Sequence, residues 1–279
     1  MAESRHTGGV SEPAARVIAD STSPSGTRLT TLEVRLHRFV LAELNTHRVF
    51  SRNSASSRAI PIAKQIERVL TDPALPLEYG SKRAGMQAGP PLDGDALLDA
   101  QQVWLAARDS AVAAAQELLR LGVHKQVANR LLEPFMWHTV IVSSTDWDGF
   151  WTQRCSPLAQ PEIRVAAEAM RDAVRASTPI PRAEGDWHLP YITDDDRADA
   201  GHAHETLRRV SAARCGRVSY LTQDGRRDLD EDLELYDRFV TADPPHASPL
   251  EHVATPAPAG HAPLGNLRGW LQLRHVALT

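Results

Sequence analysis

Residues 29–58 read LTTLEVRLHRFVLAELNTHRVFSRNSASSR, and the hydrophobic pattern changes twice along them. Leu32, Val34 and Leu36 alternate with Glu33, Arg35 and His37, the period-two signature of a half-buried strand. Phe39, Val40, Ala42, Glu43 and Leu44 then suit a short helix that delivers the chain to Thr46-His47-Arg48. From Val49 to Arg58 apolar residues thin out, and a polar loop is expected there. Pro61 can start the next helix, through Ile62, Ile66, Val69 and Leu70. Strand, helix and polar loop in immediate succession indicate an α+β fold rather than a bundle or a sandwich.

The flanking sequence fits that class. Residues 1–25 are rich in Ser, Gly, Pro and charge and are expected to be a flexible tail, with residues 26–279 forming one domain. Residues 71–97 lack a period and read as a surface excursion. Val103, Ala107, Val112, Ala115 and Leu119 mark one face of a helix over Asp99–Leu121, stopped by Gly122. A second helix over Lys125–Leu132 is closed by Pro134, and Thr139–Val142 is a short buried strand. Thr145 is placed to cap a helix through Trp147, Phe150 and Trp151, and Pro161 to open another with Ile163, Ala167, Met170 and Val174 inward. Residues 177–201 are loop-like, while Glu205–Ala213, Leu229–Val240 and Asn266–His275 are expected to be helical. The sum is a helix-rich single domain with a small mixed or antiparallel sheet.

The 279 residues can bury a sizeable core, and 42% hydrophobic with 24% charged residues is ordinary for a globular chain. A formal net charge of -4 argues against a polynucleotide partner, so any anionic ligand must be held by a local arginine cluster. Cys155 and Cys215 cannot make a disulfide framework, and no zinc-type spacing occurs, so no metal is expected. Met1 to Gly9 has no apolar core and no run approaches the roughly 20 apolar residues of a membrane span. A cytoplasmic chain with no membrane partner is expected.

Chemistry concentrates in His47-Arg48-x-x-Ser51-x-Asn53-x-x-Ser56-x-Arg58. Guanidinium forks, hydroxyls and turn amides at this density suit a phosphate, although a solvated Ser/Arg-rich linker has the same composition. The spacing resembles the signature of flavin-dependent thymidylate synthases, an Arg-His-Arg followed by spaced Ser, Asn, Glu, Ser and Arg. Downstream, Gly122-Val123-x-x-Gln126-Val127-Ala128-x-Arg130 with Pro134, then Phe150-x-x-Gln153-Arg154 and Ala159-Gln160-x-Glu162-Ile163, are similar to the family's later blocks. Arg217-Val218-Ser219 and His246-x-Ser248-Pro249-x-Glu251-His252 resemble family elements that usually precede the arginine motif. The stretch 266–275 echoes the helix that enters that motif. The order is that of a permuted, partly duplicated member.

The resemblance implies FAD as cofactor, with NADPH and methylenetetrahydrofolate as co-substrates, UMP or dUMP as acceptor, and a homotetramer with sites between subunits. It implies that Arg58 and Arg130 hold the nucleotide 5'-phosphate, supported by Ser56 and Glu43, and that Arg154 donates to the pyrimidine edge. His47, Arg48 and Val49 would line the flavin, with His47 near the chemistry; Ser219, Ser248 and Glu251 would meet the adenosine half, and His246 the flavin ring and folate. Glu43 reads equally as a surface carboxylate and His252 as a packing residue. Cys155, beside Arg154, would be the nucleophile of a rival mechanism in which a neighbouring cation lowers the thiol pKa. Neighbours along a helix, however, point about 100° apart and no other motif of that class occurs, so a bystander cysteine is expected.

Departures from the pattern bear on specificity. Thr46 stands where the first arginine is expected, and Gly149 and Leu158 where flavin-contacting Asn and His are expected. Ser54 replaces a glutamate beside the deoxyribose, which makes room for a 2'-hydroxyl and suits the UMP/dUMP methylases of nucleoside-antibiotic pathways. Two alternatives stand beside this: dUMP-specific thymidylate synthesis, and a non-catalytic nucleotide-binding protein.

Overall fold

The structure is a computed structural model that describes residues 11–56, 58–201, 203–218, 228–262 and 264–278. Strands β1 (Ala14–Thr22) and β2 (Arg28–His37) form a hairpin; a 3-10 turn and helix α1 (Leu41–Asn45) lead into β3 (Ser51–Ser54). Helices α2 (Ile62–Thr71), α3 (Gly94–Arg120) and α4 (Lys125–Ala128) follow, then a 3-10 helix Asn129–Phe135 and strand β4 (Trp137–Ser144). Next come α5 (Asp148–Arg154), α6 (Pro161–Ala176), the short β5 (Ile180–Pro181), α7 (Asp194–Asp199), α8 (His204–Arg217) and α9 (Leu229–Thr241). The chain closes with a 3-10 turn Ser248–Glu251, strands β6 (Ala254–Pro256) and β7 (Trp270–Gln272), and α10 (Arg274–Ala277). The fold is helix-rich with a mixed sheet in one domain.

The main sheet has the order β3-β4-β2-β1-β5, antiparallel except for the parallel β1–β5 pair; β6 and β7 form a separate antiparallel ribbon. Leu32, Val34 and Leu36 face one side, as their alternation requires, and pack with Val140 and Val142 against Phe150 of α5 and Ile163, Ala167 and Met170 of α6. Each such side chain contributes roughly 1.5–3 kcal/mol when fully buried. A second core gathers Leu207, Ala213, Leu235 and Phe239 of α8 and α9 with Leu250 and Leu273. A third joins α2 to α3 and the 3-10 helix through Ile66, Val69, Val112, Ala115 and Leu132. Among the described residues no helix is long and apolar enough to cross a membrane.

Several sequence expectations are corrected. Residues 14–22 are no tail: β1 lies inside the sheet, its polar Asp20 and Ser21 buried. The tail-like composition misleads because Asp20 carries a fork from Arg28 at 2.9 and 2.6 Å and a bond from Thr30 at 3.1 Å, so this polar strand pairs inward. Residues 1–10 lie outside the described residues. The polar loop after Val49 contains β3, laddered on β4, with Ser51 and Asn53 buried. Thr145 does not cap α5, whose N-cap is Trp147; its hydroxyl accepts the Arg268 amide at 3.1 Å. Pro134 sits inside the 3-10 helix rather than ending one, and the 177–201 stretch contains β5 and α7. The helix expected over 266–275 is a turn followed by β7. Gly269 takes φ +70°, which L side chains rarely adopt, and an added Cβ would meet Thr27 Oγ1 at 3.1 Å. On α3, Val112 and Ala115 are buried, whereas Val103 and Leu119 of the same expected face are exposed.

Candidate active site

Two separated blocks meet where α1 ends. Arg154, at the end of α5, donates from Nε to His47 Nε2 at 3.0 Å and from one terminal nitrogen to Thr46 Oγ1 at 3.0 Å and the Glu43 carbonyl at 3.3 Å. An imidazole nitrogen that accepts from a guanidinium carries no proton, so His47 is neutral with its proton on Nδ1. Burial, then the charges of Arg154 and Arg52, hold its pKa below the usual value, in keeping with that tautomer. Aromatic packing fixes the ring, edge-on to Phe150 at 4.8 Å and stacked on Phe50 at 5.7 Å. The remaining guanidinium nitrogen of Arg154 has no partner among the described residues. Arg154 is thus a cation held on three acceptors with a donor to spare.

Beside it, Arg52 donates to the carbonyl of Asn45 at 2.7 Å and to its side chain at 3.1 Å, tying β3 to the C-terminus of α1. Glu43 is half-buried and its Oε2 is enclosed without a hydrogen bond, unlike a surface carboxylate. Thr46, placed where an arginine was expected, accepts Arg154 instead of adding a charge.

The displaced C-terminal block docks on the other side of β3. Asn53 donates to the Cys215 carbonyl at 2.6 Å and accepts from Ser248 at 3.1 Å. Ser51 accepts from Gln272 at 2.9 Å and from Asn266 at 3.0 Å, and Gln272 also donates to the Glu251 carbonyl at 2.9 Å. Glu251 Oε1 takes Arg274 at 2.6 Å, and Oε2 has no hydrogen bond among the described residues. Arg48 and Val49 are exposed, the Val49 carbonyl receiving Asn266. Arg52, Asn266 and Gln272 were not among the predicted site residues. The echo of the motif-entering helix in 266–275 is the sequence signal that pointed at Asn266 and Gln272, and Arg52 lies at an unassigned position of the 47–58 motif.

Not every predicted residue joins this cluster. Arg58 is exposed, its amide bonded to Ser56 Oγ at 3.3 Å, and Arg130 pairs with Glu133 at 2.6 Å. Ser54 lies on β3 opposite Val140. His246 lines a separate cavity of about 510 Å³ with Arg217, Arg238 and Glu234, its ring edge-on to Phe239 at 5.2 Å and its pKa lowered by burial. Ser219 lies outside the described residues. Burial raises the Cys155 thiol pKa, the wrong direction for a thiolate nucleophile, despite charges of both signs nearby.

Beneath the C-terminal block runs a buried polar chain. Arg182 Nε approaches Ser21 Oγ at 3.4 Å; Ser21 meets His188 Nδ1 at 2.9 Å; His188 Nε2 meets Thr31 Oγ1 at 2.8 Å. Thr31 meets Ser143 at 2.6 Å, and Ser143 meets His252 Nδ1 at 2.8 Å. Burial pushes both histidines down to about 3, so each is neutral with one N–H. With Ser21 accepting from Arg182 and donating to His188, every donor points towards His252. His252 is left with its N–H on Nε2, buried and unpartnered.

A family model described as thymidylate synthase complementing protein matches residues 17–180, more than half of the chain. The chain belongs to the thymidylate synthase complementing protein family. The match ends before α7, so the blocks at 217–219 and 246–252 lie beyond it in this family member. Among solved structures, the chain is similar to the UMP/dUMP methylase PolB from Streptomyces cacaoi bound with 5-Br dUMP. That likeness has 17% identity, covers 59% of this chain and 90% of that one, and has a TM-score of 0.49. The same protein bound with 5-Br UMP gives 16% identity, 59% and 89% coverage and a TM-score of 0.48. No curated protein matches the sequence.

Proposed function

We propose that this family member is a flavin-dependent enzyme that methylates C5 of a uridine monophosphate, UMP or dUMP, with methylenetetrahydrofolate as carbon donor and NADPH as reductant. The observation that carries the proposal is the anchored Arg154 guanidinium, which joins two motif blocks 107 residues apart through His47. A cation fixed beforehand beside a pyrimidine carbonyl stabilises the negative charge that must develop as C5 becomes nucleophilic, without reorganising at that moment. His47 acts as the acceptor that aims Arg154.

The residues fit a flavin dinucleotide. Arg48 is an exposed guanidinium with no partner among the described residues, suited to a pyrophosphate, and Glu251 keeps a carboxylate oxygen free for ribose hydroxyls. Ser248, bonded to Asn53 of β3, and Val49, just before β3, complete the set. Reduced FAD, when bound, supplies the electrons that complete the methyl group. Arg58 and Arg130 serve the 5'-phosphate. The family resemblance supports a site completed between subunits of a homotetramer. Ser54, lacking the bulk and charge of a glutamate, supports acceptance of a 2'-hydroxyl.

The test is Arg154→Ala in flavin-loaded protein, assayed with UMP and dUMP separately. Methyl transfer should fall by roughly 10²-fold or more with flavin still bound. Full activity would exclude the ring-activating role, and wild-type turnover confined to dUMP would exclude the relaxed sugar pocket. Protein that stays colourless with added FAD would favour a binding function.

A further inference from the structure

Away from the motif, α2 leans over the face of β2 and β4 opposite the main core and encloses a cavity of about 440 Å³, within the range of small-ligand pockets. Arg35 and Thr139 are directly opposite in the β2–β4 register, so their side chains enter it side by side, with Trp137 two residues along. Gln65, Arg68 and Asp72 line the other wall. None of these residues belongs to the blocks assigned to flavin or nucleotide.

The polar groups of this cavity are under-used. The Arg35 guanidinium lies over the Trp137 ring, its Cζ 4.2 Å from the centroid, and one terminal nitrogen is held by Asp72, which leaves its other N–H groups as donors. Arg68 is solvent-exposed at the mouth of the cavity and forms no ion pair among the described residues. Gln65 is 2% exposed with its amide oxygen unpartnered, and the Trp137 indole N–H is likewise buried without an acceptor. A ligand that draws on Arg68, Gln65 or Thr139 therefore breaks no bond within the chain, and Arg68 would gain the anion it lacks. Val69 and Met136 provide an apolar wall for the rest of the molecule. Since Arg35 already covers the indole face, an aromatic ring cannot stack there. Charge and hydrogen bonding do the selecting.

We propose that the cavity between α2 and the β2–β4 strands is a second ligand site, which takes a small anion whose oxyanion group bridges Arg68 and the edge of Arg35. Phosphate and carboxylate share the required chemistry, and the test separates them. Pyrophosphate and glutarate would each be titrated calorimetrically into full-length wild type, Arg68→Gln and Arg58→Ala, with thermal unfolding and gel filtration of each variant. One probe should bind saturably, with affinity lowered about tenfold or more in Arg68→Gln and kept within about twofold in Arg58→Ala. Whichever probe binds names the source. Thr139→Val, which keeps the strand's shape, should weaken the same probe and serves if Arg68→Gln is poorly folded.

Absence of saturation below about 10 mM for both probes would overturn the proposal. So would Arg68→Gln and Thr139→Val affinities equal to wild type, or a loss confined to Arg58→Ala, which places the anion at the motif. A changed elution volume of Arg68→Gln would overturn it in favour of a contact with a second copy. Since Arg58 serves the methylase reading and Arg68 does not, the two ideas fail separately.

Discussion

The two faces of β3 handle polar groups in opposite ways. On the side of α1 and α5, Arg154, His47, Thr46 and Arg52 are exposed or half-buried, joined by single bonds and left with donors to spare. On the other side, Ser143, Thr31, His188 and His252 are wholly buried and matched bond for bond, with one N–H left over. Nearby, Arg214 grips Asp196 through two bonds of 2.6 and 2.8 Å and Asp232 at 2.8 Å, while Arg217 reaches Asp232 at 2.6 Å. Polar residues with unused capacity at a surface are available for a ligand. Saturated ones in the interior are committed to the fold, and losing one partner there strands another.

Acid should break this contrast most severely. His138, His188 and His252 are held at about 3 by burial, and an unfolded histidine titrates near 6.5, so the unfolded state takes up protons first as pH falls. Stability is complete above about pH 6.5 and declines from there towards pH 3, by about 2 kcal/mol per ring at pH 5. Thermal unfolding at about pH 7.5 and pH 5 checks this, and an unchanged midpoint would show that the rings are reached by water. Arg214→Met removes the guanidinium shared by Asp196 and Asp232, leaving Asp232 to Arg217 and Asp196 to Thr193, and should cost about 3–5 kcal/mol in urea unfolding; a cost under about 1 kcal/mol would mean that water replaces the guanidinium.

Ser143→Ala removes the hydroxyl between Thr31 and His252, leaving the His252 Nδ1 lone pair buried without a donor. A loss of about 1–3 kcal/mol is expected, and a neutral effect would contradict the donor direction assigned to the chain. Arg154→Ala should be the mildest, within about 1 kcal/mol of wild type, because its bonds are partly solvated. Should it unfold the protein, Arg154 belongs with the structural group, and loss of methyl transfer in that variant would say nothing about chemistry.

The alternation Leu32-Val34-Leu36 and the periodic face of α6 were legible in the sequence because each buries apolar side chains against a single partner layer, and burial writes its period directly into the residues. β1, β3 and β7 were not. Their inward residues are Asp20, Ser21, Ser51, Asn53 and Gln272, whose place in the interior depends on partners as distant as Arg182, Cys215 and Ser248. A polar residue is indistinguishable from a loop residue until its partner is known.

The candidate site divides in the same manner. Local spacing carried the family resemblance and named Arg154, His47, Arg48 and Glu251, since motif chemistry depends on residue type at short range. That Arg154 locks onto His47 and that Ser248 leans on Asn53 were decided by the sheet. β4 carries β3 on one side and β2 on the other, and so sets blocks far apart in the chain within hydrogen-bond reach, which no pattern along the chain encodes.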